Sequence, residues 1–157
     1  MNRTNNEESI SGKCALITGA AKGIGKASAL ELAKMGVHIA INYNSSEVEA
    51  LKVVNEIKSL GDDAIAIQAD VGNLNQVTSM IDQTVNHFTK IDILVNNAGI
   101  IDDSLLLRMK DHAWKRVIDT NLNGTFYCSR AALKSMFKTK WGRIINIGSV
   151  VALRGNV

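Results

Sequence analysis

The sequence contains no proline, two cysteines and few aromatic residues, which make up 4% of its 157 positions. This composition excludes a collagen-like chain and a disulfide-stapled miniprotein. Cys14 and Cys128 belong to no C-x-x-C pattern, so no zinc site is predicted and both are expected to be buried free thiols. No apolar run approaches the roughly 18 residues that span a bilayer, and the first residues lack the apolar stretch of a signal peptide. We therefore expect a cytoplasmic protein that does not bind membranes.

The sequence also lacks local clusters of like charge. The net charge is +3, and Lys and Arg occur in no run longer than two residues, so no nucleic-acid partner is predicted. His38, His87 and His112 lie on different predicted elements, and no metal site is expected. With 46% hydrophobic and 21% charged residues, the chain is typical of one globular domain. We assign residues 1–10 to a polar N-terminal tail and residues 11–157 to that domain.

Short apolar, β-branched runs alternate with segments of helical periodicity. The runs are too short for ordinary helices and nearly continuous in apolar character, as in strands covered on both faces of a parallel sheet. They occupy residues 13–18, 37–42, 64–69, 91–95 and 143–147. Right-handed crossovers between them predict a doubly wound α/β fold with strand order 3-2-1-4-5. The chain ends soon after the fifth run, so this fold would be incomplete at its C-terminal side and would expose an apolar edge strand.

Apolar residues three and four positions apart predict helices between the strands. The predicted helices span residues 23–35, 46–60, 73–88 and about 111–137. The last is the longest, and Trp114 and Phe126 lie on a broad apolar stripe along it. We expect that stripe to form a buried helix face.

A glycine-rich turn follows the first predicted strand and precedes the first predicted helix. Its glycines have the spacing Gly-x3-Gly-x-Gly, and its residues are Gly19, Ala20, Ala21, Lys22, Gly23, Ile24 and Gly25. Glycines in this setting allow a sharp turn, close approach of a phosphate and tight packing of the helix on the strand. The turn is therefore a predicted phosphate-binding site.

Several further motifs appear in register with this turn. The third predicted strand ends in Asp70-Val71, the fourth in the sequence Asn96-Asn97-Ala98-Gly99, Asn121 lies in the long helix, and Ser149 follows the fifth strand. Together with the turn, these motifs resemble the short-chain dehydrogenase/reductase family over residues 11–157. The resemblance implies a Rossmann-type NADP-binding domain.

The resemblance also implies roles for individual residues. Asp70 and Val71 correspond to the pair that contacts adenine, and Ser149 and Asn121 to catalytic positions. Cofactor contacts are implied for Asn96, Asn97, Ala98 and Gly99. In the family, a tyrosine that donates the proton and a lysine that lowers its pKa follow the serine. Both positions would fall beyond Val157, and neither Tyr43 nor Tyr127 matches them. The chain is thus identified as a truncated member that should be nearly inactive by itself.

The cofactor choice follows from charge at the end of the second strand. An enzyme that prefers NAD places a carboxylate there to hold the ribose 2′-hydroxyl. Here the residues are Tyr43, Asn44 and Ser45, none of them acidic, and Lys22 offers a cation to a 2′-phosphate. We therefore predict NADP(H) as the cofactor, with Tyr43 at the position beside the ribose 2′-group and Asn44 and Ser45 donating hydrogen bonds to the 2′-phosphate.

The substrate prediction rests on resemblance alone. Residues 107–111, 117–122 and 142–151 are similar to stretches of family members that reduce 3-oxoacyl thioesters on acyl-carrier protein in fatty acid biosynthesis. Lys138, Lys140 and Arg143 are either a docking patch for that acidic partner or a solvated helix end. Another carbonyl substrate, or a non-catalytic nucleotide-binding fragment, remains an alternative. The family forms dimers or tetramers through the long helix and a later one, so assembly of this chain is expected to be weakened.

Overall fold

The structure is a computed structural model that describes residues 9–155. Most of the predicted tail, residues 1–8, and the last two residues of the predicted domain lie outside the described residues. Ile10, which we assigned to the tail, packs partly buried against the core.

Five parallel strands form one sheet in the predicted order β3-β2-β1-β4-β5. Their bounds are β1 Cys14–Ile17, β2 His38–Tyr43, β3 Ala64–Gln68, β4 Ile93–Asn96 and β5 Arg143–Asn146. The central strand β1 pairs with β2 on one side and β4 on the other, so the chain reverses its direction of travel across the sheet at β1. The predicted doubly wound α/β fold is confirmed. In such folds, ligands bind where the strand order reverses.

Six helices connect or follow these strands in the described part of the chain. They are α1 Gly23–Lys34, α2 Glu47–Ser59, α3 Leu74–Phe88, α4 Asp111–Ile118, α5 Gly124–Thr139 and the short α6 Val151–Arg154. Asn73 caps α3, because its side-chain oxygen accepts hydrogen bonds from the amides of Asn75 and Gln76. Between residues 9 and 155, no helix is both long and apolar enough to cross a membrane.

The predicted helix over residues 111–137 is interrupted. A π-helical segment, Asp119–Asn123, joins α4 to α5. In this segment the side chain of Asn121 bonds the backbone of Ile100, and the hydroxyl of Thr125 donates to the carbonyl of Asn121 at 2.9 Å. The bonds to Ile100 anchor the widened turn to a separate loop, and the bond from Thr125 gives the carbonyl of Asn121 a partner.

The core has one layer on each face of the sheet. Ala15 and Ile17 of β1 pack with α1 and α2, whereas Leu16 between them packs with α3 and α5. Both cysteines are free and buried, as predicted. Burial raises the pKa of each thiol to about 12, so neither is a reactive thiolate near neutral pH.

The stripe on the long helix does not form the buried face that we predicted. Trp114 is 57% exposed and Phe126 is 54% exposed. The reason is positional: α5 packs on the core through smaller residues, Cys128 and Ala132, whereas the side chains of Trp114 and Phe126 point away from it. β5 lies at the sheet edge, as expected, and three of its four residues are exposed.

The central strand should dominate stability. Leu16→Ala removes a fully buried side chain from β1 and is expected to lower the free energy of unfolding by about 3 kcal/mol, because the rigid sheet cannot close the cavity. Urea unfolding followed by circular dichroism measures the change. Leu107→Ala, at a side chain 97% exposed, is the matched control and should change it by less than about 0.5 kcal/mol. Equal losses in the two variants would contradict this assignment of the core.

Candidate nucleotide-binding site

A cleft of about 310 Å³ opens at the carboxyl ends of the central strands. It is lined by Gly19, Lys22, Ile24, Asn42, Asn44, Ala69, Asp70, Val71, Asn97, Ala98, Gly99, Ile100 and Thr120. Four motifs that are far apart in the sequence therefore meet here: the glycine-rich turn, the end of β2, the Asp70-Val71 pair and the Asn-Asn-Ala-Gly sequence. A larger groove of about 550 Å³, beside the edge strand β5, contains none of the predicted cofactor-binding or catalytic residues, but Lys140 and Arg143 of the predicted docking patch line it.

The glycine-rich turn is shaped by two close approaches. Gly19 has φ +61°, and a Cβ there would lie 2.9 Å from the Cα of Ala98. At Gly25 a Cβ would lie 2.9 Å from both the Cα of Ala20 and the carbonyl oxygen of Gly19. Only glycine therefore lets β4 approach the turn and lets α1 fold back on it. Ala20 and Ala21, within the turn, are buried and do not line the cleft.

A set of hydrogen bonds ties the turn to the end of β4. The hydroxyl oxygen of Thr18 accepts from the backbone amides of Asn97 and Ala98, both at 3.0 Å. The side-chain amide of Asn97 donates to the carbonyls of Thr18 and Gly19 at 2.9 and 3.1 Å. Asn97 thus lines the cleft and also holds the turn in place.

The end of the cleft at the start of α1 has a positive electrostatic potential. The helix begins at Gly23, its first turn has no acidic residue, and its first amides have no partner within the helix. The space around the Gly23 α-carbon is open, because nothing lies within 4 Å of a Cβ built there. With the exposed Lys22 at the helix cap, this end of the cleft is suited to an anion such as a pyrophosphate.

The end of β2 differs from our expectation for Tyr43. That side chain is only 7% exposed and packs in the core, where burial and the neighbouring Glu47 raise its pKa. The next residue, Asn44, is exposed and lines the cleft. Its backbone carbonyl accepts from the side-chain amide of Gln68 at 2.9 Å. Ser45 is exposed beside it but is not among the lining residues.

Asp70 and Val71 form the opposite wall. The Asp70 carboxylate accepts a hydrogen bond from the amide of Gly72 at 2.9 Å, which closes a tight turn after β3. Val71 is buried against Gly124, where a Cβ would lie 2.8 Å from a Val71 methyl. This wall is a largely apolar surface with one carboxylate, as a flat heterocycle such as adenine requires.

The two predicted catalytic positions lie at the same sheet edge as the cleft. Asn121 bonds the amide and carbonyl of Ile100 at 2.9 and 3.0 Å, and its Oδ1 would lie 3.5 Å from a Cβ at Gly99. Ser149 follows β5 by three residues, and Gly99 follows the paired strand β4 by three residues. The Ser149 hydroxyl is exposed and accepts from the amide of Val151 at 3.2 Å.

Sequence reasoning missed Asn42, Ala69, Ile100 and Thr120, which also line the cleft. Asn42 had a usable signal, since it is a polar residue directly after the apolar run of residues 39–41. We also expected Asn96 to contact a cofactor, but its side-chain amide donates to Ser129 and Asn146 instead, joining β4 to α5 and β5. Within residues 9–155, no cluster of three or more His, Cys, Asp or Glu side chains could hold a metal.

Comparisons with known proteins agree with this geometry. The family model described as short chain dehydrogenase matches residues 13–157. The chain therefore belongs to the short-chain dehydrogenase family.

Among curated relatives, 3-oxoacyl-[acyl-carrier-protein] reductase of Synechocystis sp. is 51% identical over 147 residues, which cover 94% of this chain and 60% of that protein. The enzyme of the same name from Staphylococcus aureus is 49% identical over 144 residues, covering 92% and 58%. A solved short chain dehydrogenase from Burkholderia cenocepacia, in complex with NADP, superposes with a TM-score of 0.89 at 36% identity and covers 95% of this chain and 60% of its own. This chain thus spans about three fifths of the length of these relatives.

Gly25 provides a test of the turn. Gly25→Ala is expected to lower the free energy of unfolding by about 1–3 kcal/mol, because the added methyl meets backbone atoms that cannot move independently. Urea unfolding measures the loss. Gly148→Ala is the matched control, since a Cβ there meets nothing within 4 Å, and it should be close to neutral. A Gly25→Ala protein as stable as the control would refute the close packing described for this turn.

Proposed function

We propose that this chain binds NADP(H) in the cleft. We further propose that the protein containing it reduces a 3-oxoacyl thioester on acyl-carrier protein to the 3-hydroxyacyl form, in fatty acid biosynthesis. The observation that carries the proposal is the cleft itself, which combines a helix N-terminus, the cation Lys22, no acidic residue at the end of β2 and an apolar wall. The solved relative in complex with NADP supports the choice of cofactor.

The residues present fit the parts of this dinucleotide. The open space at Gly23, at the start of α1, suits the pyrophosphate, and Lys22 with Asn44 and Ser45 suits the 2′-phosphate. Asp70 and Val71 would hold the adenine, while Asn97, Ala98 and Gly99 would contact the ribose and pyrophosphate side of the nicotinamide half. When bound, NADPH supplies the hydride for carbonyl reduction. Because Tyr43 is buried, no direct contact with the cofactor is proposed for it.

The catalytic roles are also proposals. Ser149, with an exposed hydroxyl, would donate a hydrogen bond to the substrate carbonyl oxygen. Asn121 would link the lysine of the family, whose position lies outside residues 1–157, to solvent, and it is already anchored to Ile100 by two bonds. A proton donor is still required, and neither tyrosine of this chain is suitable, since Tyr43 is in the core and Tyr127, on α5, is partly buried against it.

The acyl-carrier-protein substrate rests on the two relatives that carry that activity in their names, at about half identity. Reduction of a different carbonyl compound is the alternative within the family. Self-association into a dimer or tetramer is supported by the exposed Trp114 and Phe126 on α4 and α5. Lys140 and Arg143 line the groove beside β5, and we place the docking of the acidic acyl-carrier protein there.

Turnover separates binding from catalysis. Residues 1–157 alone are expected to bind NADPH but to oxidise it with acetoacetyl-acyl-carrier protein at least roughly 10²–10⁴-fold more slowly than the Synechocystis relative, because general acid catalysis contributes about that factor. The absorbance of NADPH measures both rates, and a simple ketone serves as the alternative substrate. A rate equal to that of the relative would contradict the proposed need for a further proton donor.

Cofactor selectivity tests the charge argument. Asn44→Asp should weaken NADPH binding about tenfold and leave NADH binding unchanged or stronger, because a carboxylate repels the 2′-phosphate and accepts from a 2′-hydroxyl. Lys22→Met should also weaken NADPH binding selectively, by loss of the cation. Asn44 is preferable to Tyr43 for this test, because Tyr43→Asp would bury a charge in the core.

Titration calorimetry with NADPH and NADH gives the dissociation constants for each variant. Lys52→Met, which removes an exposed lysine of α2 that does not line the cleft, is the matched control and should leave the ratio of the two constants unchanged. An unchanged ratio in Asn44→Asp and Lys22→Met as well would overturn the assignment of the 2′-phosphate position.

A further inference from the structure

Asn42 is a buried amide at the floor of the cleft. It precedes the last residue of β2, is 1% exposed, and is surrounded in its strand by apolar residues. A polar side chain at such a position costs free energy unless every donor and acceptor finds a partner. Its partners therefore indicate why an amide is tolerated there.

Those partners lie on two different elements of the site. The Asn42 Oδ1 accepts from the backbone amide of Gly19 at 3.2 Å. Its Nδ2 donates to the carbonyl of Ala69 at 3.0 Å, with longer contacts to the carbonyls of Ile67 and Tyr43 at 3.4 and 3.3 Å. Its own backbone carbonyl accepts from the amide of Ala20 at 2.9 Å. One residue thus bonds the glycine-rich turn on one side and the end of β3 on the other.

We propose that Asn42 is a positioning residue that fixes the glycine-rich turn relative to the Asp70-Val71 wall, and that it thereby sets the affinity of the cleft for the pyrophosphate of a dinucleotide. The inference rests on the proposed function. Gly19 adopts a positive φ, and the bond from its amide to Asn42 holds that conformation before any ligand arrives. Preorganisation of this kind raises affinity because the turn loses less freedom on binding.

A role in stability alone makes a different prediction. If Asn42 only fills the core, its removal lowers the free energy of unfolding and leaves the affinity of the folded protein unchanged. If it positions the turn, ligands that contain a pyrophosphate lose affinity and ligands that lack one do not.

The experiment compares 2′-phospho-ADP-ribose, which contains the pyrophosphate, with adenosine 2′-monophosphate, which lacks it. Asn42→Ala is expected to weaken binding of the first about tenfold and of the second less than about twofold, by titration calorimetry below the unfolding temperature. Thr84→Val is the matched control, because Thr84 is fully buried, donates to Met80 within its own helix at 2.8 Å and does not line the cleft. It should change stability and neither affinity. Parallel losses for both ligands, or no loss for either, would overturn the inference.

Amide hydrogen exchange tests the inference without any nucleotide. The Gly19 amide should exchange at least about tenfold faster in Asn42→Ala than in the wild-type chain, whereas Thr84→Val should leave it unchanged. Equal exchange rates would overturn the proposal. Should Asn42→Ala fail to fold, Asn42→Leu, which keeps a similar side-chain volume and removes both hydrogen-bonding atoms, carries the same expectations. A wild-type chain that binds neither ligand but shows the predicted exchange would refute the proposed function and leave the positioning role of Asn42 supported.

Discussion

The contact between the turn after β1 and the end of β4 is the constraint on which the rest of the site depends. The Thr18 hydroxyl accepts hydrogen bonds from the backbone amides of Asn97 and Ala98. The side-chain amide of Asn97 in turn donates to the carbonyls of Thr18 and Gly19. This contact spans the position where the strand order reverses, and neighbouring crossovers leave a crevice there. If the contact were looser, the turn would not face the cleft with a defined shape.

Asn42 complements this contact from the other side of β1. Thr18 and Asn97 hold the turn against β4, and Asn42 holds it against β2 and β3. The glycine-rich turn is thus supported by side chains from both neighbours of the central strand, all of them at most partly exposed. Buried polar groups that are fully paired in this way rigidify a site, whereas unpaired ones destabilise it. The supporting residues are consequently as specific to the site as the residues that face the ligand.

Much of this arrangement was predictable, for reasons that lie in particular residues. Strands such as Cys14–Ile17 are apolar on both faces, so a parallel sheet followed directly, and right-handed crossovers determined the order. The π-helical segment at Asp119–Asn123 was not predictable, because it depends on bonds from Asn121 to Ile100, which comes from a separate loop. The exposure of Trp114 was missed because periodicity identifies an apolar face without showing what covers it.

By itself the sequence determined the fold class, the strand order and the presence of a glycine-rich turn after β1, since these follow from local periodicity, glycine spacing and chain-connection rules. Only the tertiary structure decided that Asn44 rather than Tyr43 faces the cleft, and that Asn42 supports the turn. The physical reason is that the orientation of a side chain at a strand end depends on the elements packed around it. Those elements come from distant parts of the chain, and no local pattern encodes their positions.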